Sequence, residues 1–169
     1  VVLGTSGTAT EGTDYTDGSG NVDDITISAG STTGTVSFTP TDDSVYEGNE
    51  TATIAISSVT GEASESGTQA VTITITDNES APTVTLSVSA TSIAENAGTS
   101  LTLTATLSGA TDEAVTVALS TSGTATEGTD YTDGSGNVDD ITISAGSTTG
   151  TVNFTPTDDS VYEGNETAT

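Results

Sequence analysis

Apolar residues along the chain recur at every second position in short runs. Val84, Leu86 and Val88 alternate with Thr83, Thr85, Ser87 and Ser89, and Leu101, Leu103, Ala105 and Leu107 alternate with Thr102, Thr104 and Thr106. Successive side chains on an extended strand point to opposite faces, so this spacing predicts strands with one dry face and one wet face. The same reading predicts strands over Ala114 to Leu119, Ile141 to Ser144, Gly150 to Thr155, Thr51 to Ser57 and Ala70 to Thr76. Ile25 to Ser28 and Gly34 to Thr39 are further copies of two of them. Turns rich in Gly, Asn, Asp and Ser separate the runs, and no stretch of useful length has helical spacing. About seven such strands per repeat predict an all-β protein folded as a Greek-key two-sheet β-sandwich.

The runs belong to an internal repeat. Thr5 to Tyr15 reappears as Thr121 to Tyr131, an offset of 116 residues, and the match extends over Val1 to Thr53 against Val117 to Thr169. Only Val2/Ala118, Gly4/Ser120 and Ser37/Asn153 differ. A period of 116 suits one sandwich domain. Residues 1–80 therefore read as the later part of one repeat and residues 81–169 as the earlier part of the next. The start at Val1-Val2-Leu3 has neither an initiating Met nor a signal-peptide layout, so the chain is expected to be a window from a longer array. The strands each half lacks are expected from the same longer polypeptide or from a neighbouring copy.

Composition narrows the chemistry. The chain has 169 residues, 25 of them Asp or Glu, with no Lys, Arg, His or Cys, giving a formal charge of −25. Without basic side chains there is no clamp for nucleic acid and no face for direct binding to an anionic membrane. Without Cys or His there is no disulfide, thiolate or imidazole metal site, Cys nucleophile or Ser-His-Asp relay. Hydrophobic residues at 31% and aromatics at 4% are few for a globular chain, yet the alternation and the Thr, Ser and Gly background are those of sheets and turns. An ordered β protein is expected, with cations offsetting its charge. Tyr15, Tyr46, Tyr131, Tyr162, Phe38 and Phe154, the only aromatics, are expected in the core or at sheet edges.

The acids are grouped. Asp42-Asp43-Ser44-Val45-Tyr46-Glu47-Gly48-Asn49-Glu50 recurs at Asp158 to Glu166, Asp14 recurs as Asp130, Asp77-Asn78-Glu79 follows a strand, and Glu95 lies in Ile93-Ala94-Glu95-Asn96-Ala97-Gly98. Carboxylates that converge without a neighbouring base repel one another unless a cation sits among them. Hard divalent ions take oxygen ligands, and Ca²⁺ accepts the irregular sets of about 6–8 oxygens that loops supply. Asp17, Asp23, Asp24, Glu62, Glu65, Asp112 and Glu113 are read as solvated surface, and the stretch Asp17 to Asp23 as a turn.

At Glu95-Asn96-Ala97-Gly98, Gly123 to Tyr131, Asp158 to Glu166 and Ile75-Thr76-Asp77-Asn78-Glu79, the sequence resembles the Calx-beta domain, an immunoglobulin-like module of sodium–calcium exchangers, integrin β4 and large bacterial surface proteins. The resemblance implies Ca²⁺ ligands at one end of the sandwich. These are Asp14, Asp42, Asp43, Glu47, Glu50, Asp77 and Glu79 in the first repeat, and Glu95, Asp130, Asp158, Asp159, Glu163 and Glu166 in the second. Asn78, and Ser44 with Ser160, replace acids of the calcium-sensing members, which implies fewer ions or weaker binding.

The expected function is structural and non-enzymatic: a Ca²⁺-stabilised repeat acting as a stiff spacer in an extracellular bacterial filament or giant adhesin, at or beyond the cell surface. Its expected partners are neighbouring repeats or copies of the same protein. A self-assembling subunit completed by a neighbouring chain, and a regulatory calcium sensor, are the alternatives.

Overall fold

The computed structural model describes residues 1–18, 20, 22, 24–133, 138 and 140–169. Asp23, with Ser19 and Asn21 of the expected turn at 17–23, lies outside the described residues. The chain is all-β and divides into two compact units, Val1–Ser80 and Ala81–Thr169.

The first unit contains β1 (Val2–Gly7), β2 (Tyr15–Thr16), β3 (Thr39–Pro40), β4 (Val45–Tyr46), β5 (Glu50–Ser58) and β6 (Ala70–Ile75). An antiparallel sheet runs β1-β5-β6, with Leu3 opposite Ile56 and Ala52 opposite Ile73. The dry faces expected from alternation meet a second layer: Ala52 is buried with Ala9, Tyr15 and Val22, and Leu3, Ile54, Ile75, Val36 and Phe38 pack against them. Tyr15 and Phe38 stack with ring centroids 4.7 Å apart. Gly7, at φ 131°, lets β1 approach β5 closely, because a Cβ there would collide with the carbonyl of Thr51.

The second unit contains β7 (Val84–Val88), a 3₁₀ turn at Glu95–Ala97, β8 (Leu101–Leu107), β9 (Ala110–Thr111), β10 (Val115–Val117), β11 (Tyr131–Thr132), β12 (Ile141–Ile143) and β13 (Thr149–Pro156). Its main sheet runs β11-β13-β8-β7, and β10 pairs with β12. Ala105 and Leu107 of β8 are buried against Ile141 and Ile143 of β12, so two layers of sheet share one core. Tyr131 and Phe154 stack at 4.5 Å, as their counterparts do in the first unit.

Nearly identical sequence takes different structure in the two units. Residues 149–156 form a continuous strand because β8 pairs along them, from Thr149 opposite Thr106 to Phe154 opposite Leu101. Residues 33–40 share seven of those eight residues, yet only Thr39–Pro40 is strand. The strands expected over Gly34 to Thr39 and Ile25 to Ser28 are therefore not formed as read, because an extended segment is a strand only when a partner takes up its peptide groups. Glu50–Ser58 is a central strand between β1 and β6; of its counterpart the sequence contains only residues 166–169, where a single bridge joins Gly123 and Ala168. Two further expectations fail for the same reason. Val84, Leu86 and Val88 on β7, the edge strand, are exposed instead of dry, and Tyr162 is 97% exposed instead of packed.

Candidate metal centre

Each unit builds its acidic end from a tight turn. Asp14 and Thr13 donate their main-chain N–H groups to the Thr10 carbonyl at 2.9 and 3.2 Å, and the Asp14 carboxylate accepts from the Thr10 N–H at 2.5 Å. The side chain thus closes its own turn, an arrangement natural to a short acid. Tyr15 follows and is sunk in the core, which fixes where Asp14 stands. The second unit repeats this at Thr126, Thr129 and Asp130, with the Thr126 N–H 2.6 Å from Asp130 Oδ2.

The acidic loop supplies the opposing side chains. Asp43 Oδ1 accepts from the Val45 N–H at 2.8 Å, turning the chain into β4, and Asp159 does the same for Val161 at 2.6 Å. Across the loop, Asp77 Oδ2 accepts from the N–H groups of Glu47 and Gly48 at 2.9 and 2.6 Å, and Oδ1 accepts from Glu79 at 2.8 Å. The hydrogen bond from Glu79, with those from Gly48 and Glu47, holds the Asp77 carboxyl below its ordinary value against the opposing effect of desolvation. Asn78 Nδ2 reaches Asp42 Oδ1 at 3.0 Å.

With the loop so braced, Asp14, Glu47 and Glu50 each bring one carboxylate oxygen within 4.8 Å of the others. Asp130, Glu163 and Glu166 form the same triad 116 residues later. Two oxygens bound to one Ca²⁺, each at about 2.3–2.6 Å, are at most about 5 Å apart, so the triads have the spacing for a single ion. An all-carboxylate set suits a hard cation and not a soft one.

Repulsion within the second triad is explicit. The negative charge of Asp130 pushes the Glu163 carboxyl up from its ordinary value, with desolvation and the charges of Asp159, Glu166 and Glu95 adding to it. Desolvation, then the charge and hydrogen bond of Asp130 and the charge of Glu95, raise Glu166. In the first unit desolvation raises Glu79, with the hydrogen bond and charge of Asp77 and the charge of Asp42 behind it. Glu95 Oε1 also accepts from the Asp159 N–H at 3.0 Å, which ties the 3₁₀ turn to the acidic loop.

Of the sequence-derived candidates, Asp14, Glu47 and Glu50, and Asp130, Glu163 and Glu166, converge in the two triads. Glu95 and Asp159 lie close enough to act on Glu163, and Asp42, Asp43, Asp77 and Glu79 lie around the first triad as loop braces or charged neighbours. Asp158 belongs to neither triad. Sequence reasoning missed Glu11 and Glu127. Glu11 accepts from the Val22 N–H at 2.5 Å and the Thr5 hydroxyl at 2.9 Å, and Glu127 accepts from Val138 and Thr121 at the same distances. Their identical placement in both copies was the available signal. Asp24 and Glu65, read as solvated surface, accept main-chain N–H groups of Leu3 and Gln69.

Comparison with curated proteins and with solved structures finds no match. Comparison with protein families does: the Calx-beta domain matches twice in succession, over residues 2–79 and 77–169. Both triads and the loops that brace them fall within these spans, which together cover nearly the whole chain, and the protein therefore belongs to the Calx-beta domain family.

Proposed function

We propose that the chain is a stretch of a Ca²⁺-stabilised repeat array that serves as a stiff extracellular spacer, in a bacterial filament or large adhesin. The observation that carries the calcium reading is the recurrence of one carboxylate triad at the repeat period, Asp14, Glu47 and Glu50 then Asp130, Glu163 and Glu166. Bound Ca²⁺ supplies positive charge that no side chain of this sequence offers. Each triad draws on two segments far apart in sequence, the turn before Tyr15 or Tyr131 and the acidic loop, so joining them fastens distant loops of the sandwich. Near-identity of the copies favours mechanical uniformity over recognition of several different partners. Asp42, Asp43, Asp77, Glu79, Glu95, Asp158 and Asp159 complete or orient the two sites in this reading.

Ligand that binds only the folded state stabilises it by about 2.7 kcal/mol at a hundredfold excess over Kd. Calorimetric titration of the calcium-free protein is expected to show two sites per chain, with melting raised by calcium and returned by chelator. Melting that is indifferent to both would remove calcium from the function and leave a plain β-rich spacer.

A further inference from the structure

We infer that the outer face of β7, β8 and β13 is a binding surface for ice, a grid of uncharged hydroxyls fitted to crystalline water. The inference is independent of calcium, and all three strands and their pairing lie within the second unit.

Register builds the grid. Antiparallel pairing sets Thr85, Thr106 and Thr149 in one row across the three strands, and Ser87, Thr104 and Thr151 in the next. One step further, the Ser89 N–H donates to the Thr102 carbonyl at 3.0 Å, and Thr102 stands opposite Asn153. Leu103, Ala105, Leu107 and Val152, one residue out of phase, turn to the core, so the hydroxyls share the opposite side of the sheet. Their positions on β7 and β13 are exposed, and those on β8 between them half-buried. Neighbouring strands lie about 4.8 Å apart and alternate residues of one strand about 6.7 Å apart, which gives the grid two fixed repeats.

The hydroxyls are ordered before anything binds. Threonine is branched at Cβ and stiff at χ1. Thr85 Oγ1 donates to the Thr106 carbonyl and Ser87 Oγ to the Thr104 carbonyl, both at 3.4 Å, so adjacent rows repeat one geometry and keep their oxygen lone pairs for a ligand. No carboxylate stands in these rows, although the chain carries 25. A carboxylate would gather water around itself, whereas neutral hydroxyls and methyls impose no competing order. With no charge and no aromatic ring, the rows give a dissolved solute no anchor; what they offer is repetition, and the matching partner repeats as well. Oxygens in the faces of hexagonal ice recur at spacings close to the two repeats of the grid, and each both donates and accepts, as a hydroxyl does. Side chains already held in place lose little freedom on docking, so many weak contacts can add up.

The test grows ice slowly from a solution of the full chain with chelator present, and measures how much protein the ice retains. Severalfold enrichment over a chain carrying Thr104→Lys and Thr151→Lys is expected, with faceted crystals that the doubly substituted chain does not produce. Thr151 is exposed, so Thr151→Lys alone serves if the double change unfolds the unit, and it should be excluded from the ice likewise. Glu113→Lys, in the exposed turn between β9 and β10, adds a lysine off the grid and should be retained as the parent is. Exclusion of the parent from ice, retention of the Thr151→Lys chain equal to the parent's, or an equal loss with Glu113→Lys would each overturn the proposal.

Discussion

Ile143 is fully buried, whereas Ile27, its equivalent 116 residues earlier, is 48% exposed. The difference lies in what packs over them: Ala105 and Leu107 of β8 cover the first, and no described residue takes that place over the second. Truncating a well-packed Ile to Ala costs about 2–5 kcal/mol, while a surface change costs about 0.5 kcal/mol or less. Ile143→Ala should therefore lower the denaturant midpoint strongly and Ile27→Ala hardly at all. Equal effects of the two variants would show that the cores of the two units are alike after all.

The triads predict an inversion of sign with calcium. In calcium-free buffer Glu166→Gln removes a charge that repels Asp130 and Glu163, so the variant should melt at a higher temperature than the parent. In saturating calcium the order should reverse, because the same change deletes a ligand. Differential scanning calorimetry of both proteins in both buffers checks it, and a variant that is always the less stable would contradict the repulsion.

Acidity should act in two opposite steps on the calcium-free protein. Glu79, Glu163 and Glu166 hold protons more readily when folded than when unfolded, so stability falls as pH rises from the ordinary value of 4.5 through their raised values. Asp77, held below its ordinary 3.8, contributes stability above that value that is lost as pH drops through its depressed one. Melting temperature against pH should accordingly peak near about pH 4–5. Calcium should erase the decline on the neutral side, and a steady fall in stability from neutrality downward would refute this account.

Glu11 and Glu127 predict a loss of another kind. Both carboxylate oxygens of each accept hydrogen bonds, one from a Thr hydroxyl and one from a peptide N–H that Ala at either position would leave without its acceptor. Leaving such a donor without its acceptor costs about 1–3 kcal/mol. Urea melts of Glu127→Ala should show that loss with and without calcium alike, and the calcium titration should be unaltered. Weakened calcium binding would instead make Glu127 part of the metal site.

How far the sequence could be read follows from which interactions are local. Period-two alternation located β5, β6, β7 and β8 to within a residue or two at each end, since each carries its own pattern. It could not separate residues 33–40 from residues 149–156, which are almost the same letters, because the presence of a neighbouring strand is not written in the segment itself. Grouping of acids, with the family resemblance, located Asp14, Glu47, Glu50 and their counterparts. The use of Asp77 as an acceptor for three main-chain groups was hidden, because two of those donors lie about thirty residues away. The partnership of Glu11 with Val22 was hidden likewise, since a peptide N–H bears no sequence signature.

Carboxylates in both units satisfy themselves on peptide groups and hydroxyls: Asp14 on Thr10, Asp43 on Val45, Asp77 on three amides, Glu11 on Thr5 and Val22. These donors are uncharged. Dissolved sodium chloride thus has no attraction between opposite side-chain charges to weaken, only mutual repulsion, whose reach shrinks from about 8 Å at 0.15 M to about 3 Å at 1 M. Without a divalent ion, the fold is accordingly one that brine firms.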